Sequence, residues 1–150
     1  MSRIFPDAKD YVTVNLKITP AECEAIEKEL GFKLLPGQRD RFQYFKMNGE
    51  GGKQIGVIIA GSQKGEYGAI EFVIGIDTTG TLKDIYIQRS REKDQSFKER
   101  SFLDLFQNIK MTDVMGIKNL YKGPESKGTT AIIQGVMKEI VTYNKMTEKK

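Results

Sequence analysis

The sequence contains no histidine and only one cysteine, Cys23, among its 150 residues. Without histidine the chain has no imidazole to ligate haem or zinc, and no catalytic triad that depends on histidine can form. A single cysteine excludes an intramolecular disulfide and a metal site built from thiolates. Cys23 falls in a predicted helix, where a small, semi-buried apolar residue is a better interpretation than a nucleophile.

Long apolar runs are also lacking, since no stretch approaches the roughly 20 residues that span a bilayer. The opening residues, MSRIFPDAKD, do not contain the apolar core of a signal peptide. We therefore expect a soluble chain with no transmembrane segment. With 39% hydrophobic and 29% charged residues, the composition is typical of a chain that folds unaided, and its length suits one domain, 1–150, around one core.

Charge of one sign is not concentrated in any segment. Lys and Arg number 24 against 20 for Asp and Glu, which gives a net charge of +4. The densest basic run, residues 89–100, also contains Glu92, Asp94 and Glu99. A protein that tracks nucleic acid needs basic residues interleaved with aromatic residues on one face. We therefore expect no nucleic-acid partner.

The clearest local signal is the start of a helix. Thr19 suits the N-cap, Pro20 suits the first helical position, and Glu22 can complete a capping box. The helix should run to Leu30. Gly31 then occupies the position just past a helix end, where a positive φ favours glycine.

Four segments rich in β-branched residues, or alternating apolar and polar residues, are separated by turns that contain glycine. They are residues 42–47, 54–60, 69–76 and 81–88, joined by a loop at 48–52, a polar connection at 61–68 and a turn at 77–80. Short consecutive strands joined in this way predict an antiparallel meander of about four strands.

Helical spacing returns in the last third of the chain. The apolar residues predict a helix over residues 97–109, whereas residues 111–126 have an irregular pattern. A final helix begins near Thr129 and has a wide apolar face made by Ile132, Ile133, Val136, Met137, Ile140 and Val141. The sequence thus predicts an α+β fold, a single domain in which an antiparallel β-meander packs with an N-terminal and a C-terminal helix.

The most suggestive candidate site is the segment Ser126-Lys127-Gly128-Thr129-Thr130, directly before the final helix. A helix N-terminus has unbonded N–H groups and a positive dipole end, so amides, hydroxyls and Lys127 suit a mononucleotide phosphate. The alternative interpretation is an ordinary helix cap. Tyr67, Tyr86 and Tyr121 could stack on a planar ligand or be half-buried sheet residues. The sequence contains neither a P-loop nor GxGxxG.

Several motifs follow one another in the second half of the chain. Residues 68–77 read GAIEFVIGID and lead to Gly80 and Leu82, and further on come Arg91-Glu92, FLDLF at 102–106 and Gly-Thr-Thr at 128–130. In this order they resemble the VGID strand with its turn, the opening of the E-T-P-G loop, the FLdqF helix and the S-G-A-T segment of the FMN-binding domain family. That family includes the flavin-bearing subunits of sodium-pumping quinone reductase and its ferredoxin-linked relatives.

The resemblance implies that FMN is the cofactor and that the module transfers electrons rather than acting on a substrate. It also implies a redox partner protein of unknown identity and a location outside the cytoplasm. In such proteins the threonine of S-G-A-T can carry FMN through a phosphoester made by a flavin transferase, which by position implicates Thr130. The residues assigned to cofactor binding are Glu92, Ser126, Lys127, Gly128, Thr129 and Thr130.

Residues around the attachment point depart from the family pattern. Lys127 replaces a Ser or Thr, Pro124 stands in place of an aspartate, and Ile132 replaces the following Ser or Thr, while residues 93–95 replace Thr-Pro-Gly. These changes weaken recognition by the transferase more than phosphate binding, because the amides and Lys127 remain. We therefore expect non-covalent FMN, with a covalent link as a minor alternative. The other alternative is a degenerate domain without flavin that acts as a protein-interaction module.

Overall fold

The computed structural model describes residues 4–34, 39–92, 96–121, 123 and 126–147. At its centre is an antiparallel sheet of five strands that lie in chain order. The strands are β1 (Asp10–Lys17), β2 (Arg41–Asn48), β3 (Gln54–Lys64), β4 (Ala69–Asp77) and β5 (Leu82–Arg89). The helices are α1 (Pro20–Leu30), the one-turn α2 (Arg100–Leu103) and α3 (Lys127–Thr147), with 3₁₀ segments at Glu50–Gly52, Ser96–Lys98, Asp104–Phe106 and Met111–Asn119. The predicted α+β fold is confirmed, including its N-terminal and C-terminal helices.

Helix α1 forms where the sequence predicts it. The Thr19 hydroxyl accepts a hydrogen bond from the Glu22 N–H at 3.2 Å, and Glu22 Oε1 accepts one from the Thr19 N–H at 2.9 Å. These two bonds complete the capping box. Gly31 ends the helix with a left-handed φ of 85°. Cys23 lies on the buried face of α1 beside Ile26 and is part of the core.

The sheet is larger than the predicted meander of four strands. β1 adds a fifth strand at one edge and pairs with β2 along its whole length. β3 also continues to Lys64, because residues 61–64 pair with β4 as far as Ala69. The predicted connection at 61–68 is therefore a turn at residues 65–68, closed by a hydrogen bond from the Gly65 N–H to the Gly68 carbonyl at 2.8 Å. We call it the 65–68 turn.

The two faces of the sheet carry separate apolar clusters. α3 lies across β3 and β4 on one face, with α1 and the segment Met111–Asn119 beside it, and most of the core lies there. Ile4 and Phe5 cover the opposite face. Two glycines make room for them, because a Cβ at Gly56 would overlap the Phe5 ring and a Cβ at Gly75 would overlap Ile4.

The predicted helix over residues 97–109 is wrong, because the chain forms only short helical pieces there. The backbone is extended at Glu99 and again at Gln107, and Asn108 then has a left-handed φ of 66°. The edge of β5 binds the next residues: the Asn108 N–H donates to the Leu82 carbonyl at 2.8 Å, and the Leu82 N–H donates to the Ile109 carbonyl at 2.7 Å. Backbone groups that bond to a strand cannot also continue a helix. The segment Met111–Asn119, predicted to be irregular, is 3₁₀-helical instead.

Helix α3 begins at Lys127, two residues before the predicted start, and has 21 residues. It lies beside the place where β2 and β3 separate. The register of these strands runs only from Phe45↔Ile58 to Asn48↔Gln54, and the first half of β2 pairs with β1 alone. Across the described ranges, no helix is both long and apolar enough to cross a membrane.

Candidate functional site

A polar cleft of about 820 Å³ opens between the 65–68 turn and the first two turns of α3. The side toward β3 consists of Lys64, Gly65 and Glu66. The side formed by α3 consists of Ser126, Lys127, Thr130, Ala131 and Gln134. Three residues of the predicted segment 126–130, Ser126, Lys127 and Thr130, therefore lie on one wall, whereas Gly128 and Thr129 are buried and do not line the cleft. The residues of the other wall were not predicted from the sequence. Lysines on both walls make the polar cleft suitable for an anion.

Ser126 and Thr129 form a reciprocal cap at the start of α3. The Ser126 hydroxyl accepts a hydrogen bond from the Thr129 N–H at 3.1 Å, and Thr129 Oγ1 accepts one from the Ser126 N–H at 3.0 Å. The Thr129 hydroxyl also donates to the Ser126 carbonyl at 3.1 Å. Thr129 is only 1% exposed, and its hydroxyl is used both as donor and as acceptor. The helix-cap interpretation therefore describes these two residues.

The other residues of segment 126–130 have different surroundings. Among the described residues, no acceptor bonds the N–H of Lys127 or Gly128, as is usual in the first turn of a helix. Gly128 is buried, and a Cβ there would overlap the Phe97 ring. The Thr130 N–H donates to the Ser126 carbonyl at 3.0 Å, while its exposed side chain lines the polar cleft. The helix start thus offers the polar cleft the amide and ammonium groups of Lys127 and the hydroxyl of Thr130.

Glu92, which the family resemblance assigns to cofactor binding, contacts the 65–68 turn. Its Oε1 accepts a hydrogen bond from the Glu66 N–H at 2.8 Å, and its Oε2 accepts one from the Tyr67 N–H at 2.7 Å. The Glu92 N–H donates to the Ser90 hydroxyl at 3.1 Å. Glu92 is 5% exposed, and it is not one of the described residues that line the polar cleft. It therefore contacts the residues of the cleft wall without lining the cleft itself.

A second cleft, of about 430 Å³, lies on the other side of the start of α3. We call it the aromatic cleft, and it is lined by Leu30, Phe32, Lys118, Tyr121, Gly123, Thr129, Thr130, Ile133, Gln134 and Met137. The Tyr121 ring packs edge-on against Phe102, with centroids 5.0 Å apart and an interplanar angle of 84°. Thr130 and Gln134 line both clefts, so the polar and aromatic clefts meet at these two side chains.

The three tyrosines considered as stacking residues lie in different places. Tyr121 lines the aromatic cleft. Tyr67 is exposed at the 65–68 turn, where its N–H donates to Glu92. Tyr86 packs with the cluster on the opposite face of the sheet, with the Arg100 guanidinium 5.2 Å from its ring centroid. The structure therefore brings Tyr121 together with segment 126–130 and separates Tyr86 from it.

A buried ion pair between Lys138 and Glu139 was not found by the sequence analysis. Lys138 Nζ donates to the carbonyl of Ser62 and to Gln63 Oε1 at 2.7 Å, and it lies 3.5 Å from Glu139 Oε2. Both side chains line a cavity of about 100 Å³ at the separation of β2 and β3. Burial raises the pKa of Glu139 to about 7 and lowers the pKa of Lys138, and each shift is opposed by attraction between the two charges.

No protein-family model matches this sequence, and no curated protein matches it. The resemblance to the FMN-binding domain family therefore rests on the motifs quoted above and stays a prediction. Two of the departures from the family pattern, Pro124 and residues 93–95, lie outside the described residues. Lys127 and Ile132 are described, with Lys127 on the polar cleft and Ile132 in the core.

Proposed function

We propose that this protein is a small FMN-binding module that transfers electrons. The observation that carries the proposal is the meeting of the polar and aromatic clefts at Thr130 and Gln134. FMN has an anionic phosphate at one end and a flat ring system at the other. Pockets for such ligands combine apolar and aromatic walls with a few well-placed polar groups.

The polar cleft suits the phosphate. The first-turn amide of Lys127, a residue that lines the cleft, and the positive end of the α3 dipole favour an anion. Lys64 and Lys127 add ammonium groups from opposite walls, and Thr130 adds a hydroxyl. A mononucleotide is the better match, because no dinucleotide fingerprint accompanies this helix start.

The aromatic cleft suits the ring system. Phe32 and Tyr121 offer surfaces for stacking, and Ile133 and Met137 add an apolar floor. When bound, the flavin supplies the redox chemistry, and this chain supplies binding, orientation and partial exclusion of water. We propose that the electrons are exchanged with a partner redox protein.

We further propose that FMN is held without a covalent bond. Lys127 and Ile132 flank the position of the family's modified threonine, and both differ from the residues that the transferase motif requires. Denaturing the protein after co-expression with a flavin transferase should release all flavin into the supernatant. Flavin that stays on the denatured chain and adds its mass to that of the intact protein would refute the non-covalent interpretation.

Titration of the purified protein with FMN, FAD and NAD tests the proposed function. We expect FMN to bind most tightly, with quenching of flavin fluorescence as the readout. Lys127→Met should weaken FMN binding, because it removes a cation from the polar cleft, whereas Lys53→Met, at an exposed position outside both clefts, should not. Tighter binding of FAD or NAD would refute the assignment. If none of the three binds, the protein-interaction module becomes the better interpretation.

A further inference from the structure

We infer that Glu92 is a positioning residue for the polar cleft: its buried carboxylate fixes the 65–68 turn and so sets the affinity of the cleft for an anionic ligand. The inference rests on the proposed function and extends it to a residue that does not itself line the cleft. Glu92 acts through Gly65 and Glu66, which do.

Both oxygens of the Glu92 carboxylate are used on the tip of the 65–68 turn. They accept the N–H groups of two consecutive residues, Glu66 at 2.8 Å and Tyr67 at 2.7 Å. The Gly65 N–H bonds to the Gly68 carbonyl, so three successive amides of the turn are bonded. A carboxylate is a stronger acceptor than a neutral carbonyl, so Glu92 stabilises this conformation of the turn even though Glu66 and Tyr67 are themselves exposed.

Packing adds to these hydrogen bonds. A Cβ at Gly65 would come within 2.8 Å of Glu92 Cδ and within 2.9 Å of Ile70 Cδ1. The backbone of the cleft wall thus lies directly against the carboxylate. We therefore expect a displacement of the Glu92 side chain to shift Gly65 and Glu66 and so to change the width of the polar cleft.

Glu92 lies close to the end of β5. Its N–H donates to the Ser90 hydroxyl at 3.1 Å, and Ser90 directly follows Arg89, the last residue of β5. β5 pairs with β4, and Ala69 at the start of β4 pairs with Lys64 at the end of β3. Glu92 therefore connects the end of β5 to the turn between β3 and β4, so that the cleft wall is fixed to the sheet.

Glu92→Gln tests the inference with little change of volume. The amide keeps one acceptor oxygen but places an NH₂ donor against a backbone N–H, so at least one of the two bonds is lost. We expect FMN affinity to fall about tenfold and amide hydrogen exchange at Glu66 and Tyr67 to become faster. Glu50→Gln, the same change at an exposed position in the segment Glu50–Gly52, should alter neither quantity.

Gly65→Ala provides a second variant if Glu92→Gln does not fold. Gly65 is not among the residues with positive φ, so alanine is compatible with its backbone, and the added Cβ disturbs the contact from the side of the wall. We expect weaker FMN binding and faster exchange at the same two amides, with urea unfolding measured alongside.

Two results would overturn the inference. Either variant could bind FMN as tightly as the wild type although exchange at Glu66 and Tyr67 becomes faster, or FMN binding could weaken while exchange at both amides stays unchanged. Failure of the proposed function gives a different result, because the wild type itself then binds no FMN and both proposals fall. Failure of the inference alone leaves wild-type binding intact.

Discussion

Lys138 and Glu139 place two opposite charges inside the protein, with 1% and 7% of their surfaces exposed. Removing a charge from water is strongly unfavourable unless close, well-aligned partners replace the water. The 3.5 Å between Lys138 Nζ and Glu139 Oε2 is long for a charge-assisted hydrogen bond. The pKa of Glu139 is raised and that of Lys138 is lowered, so burial outweighs the mutual attraction in both residues. The pair is therefore not a net source of stability.

Single and double substitution of this pair should affect stability differently. Lys138→Met should lower the free energy of unfolding by about 3 to 5 kcal/mol, because it leaves Glu139 buried without its counter-charge. Adding Glu139→Met should recover most of that loss, because the double variant buries no charge at this position. Urea unfolding of both variants measures the difference. A double variant as unstable as the single one would contradict this account.

The raised pKa of Glu139 also predicts how stability depends on pH. The folded protein keeps this proton up to about pH 7 and the unfolded chain only to about 4.5, so unfolding releases it between these values. The contribution of Glu139 to the free energy of unfolding should be highest below about pH 4.5 and should fall as pH rises to about 7. The difference corresponds to about 3 kcal/mol at about 1.36 kcal/mol per pKa unit.

Glu139→Gln should remove this fall. The pH window is favourable for the measurement, because the sequence contains no histidine that would titrate within it. The free energy of unfolding is measured in urea at pH 5 and pH 7.5, with Glu50→Gln as the control that keeps the wild-type slope. Equal slopes for Glu139→Gln and wild type would show that Glu139 titrates normally in the folded state.

At the scale of elements, two neighbouring threonines at the start of α3 have different roles. Thr129 is buried and caps the helix together with Ser126. Thr130 is exposed on both clefts, and no described residue bonds its hydroxyl. A helix cap and a ligand contact can therefore be distinguished by substituting each threonine in turn.

Thr129→Ala should lower the free energy of unfolding by about 1 kcal/mol, the usual effect of losing a cap. Thr130→Ala should leave stability nearly unchanged and weaken FMN binding by about 1 to 3 kcal/mol, the effect of losing a hydrogen bond to a charged acceptor. Denaturant unfolding and FMN titration of both variants provide the comparison. Unchanged FMN affinity in Thr130→Ala would remove this hydroxyl from the proposed site.

At the scale of the whole molecule, the chain covers both faces of its sheet. The helices cover one face, and Ile4 and Phe5 cover the other, far in sequence from the strands they contact. The glycine at position 75 permits this contact, because a side chain there would overlap Ile4. Ile4 and Phe5 are thus part of the folded core.

Coupling between Gly75 and Ile4 is measurable in a double-mutant cycle. Gly75→Ala should destabilise the wild type by about 1 to 3 kcal/mol through overpacking. In an Ile4→Ala background the same substitution should have much less effect, because the overlapping methyl group is absent. Additive effects in urea unfolding would show that the two residues do not pack against each other.

Much of the fold was predictable from neighbouring residues. The capping box of α1 lies within four positions, and the β-branched segments of β3 and β4 need only their own pattern and the turns between them. β1 carried the same kind of signal, since Val12, Val14 and Leu16 alternate with polar residues, although it was not predicted. The helix over 97–109 failed because the backbone is extended at Glu99 and Gln107, and bonds to Leu82 then hold residues 108–109 against β5.

The candidate site, like the fold, could be predicted only in part from residues close together in the sequence. By itself the sequence determined four strands of the meander and the two terminal helices, because strand patterns, caps and helix starts depend on residues a few positions apart. At segment 126–130 it left a helix cap and a phosphate site as alternatives. Only the tertiary structure decided that Lys64 and Gln134 share a cleft, that Glu92 supports its wall, and that Lys138 and Glu139 are buried. These contacts join segments far apart in the chain, and docking of α3 on the sheet determines which side chains lose contact with water.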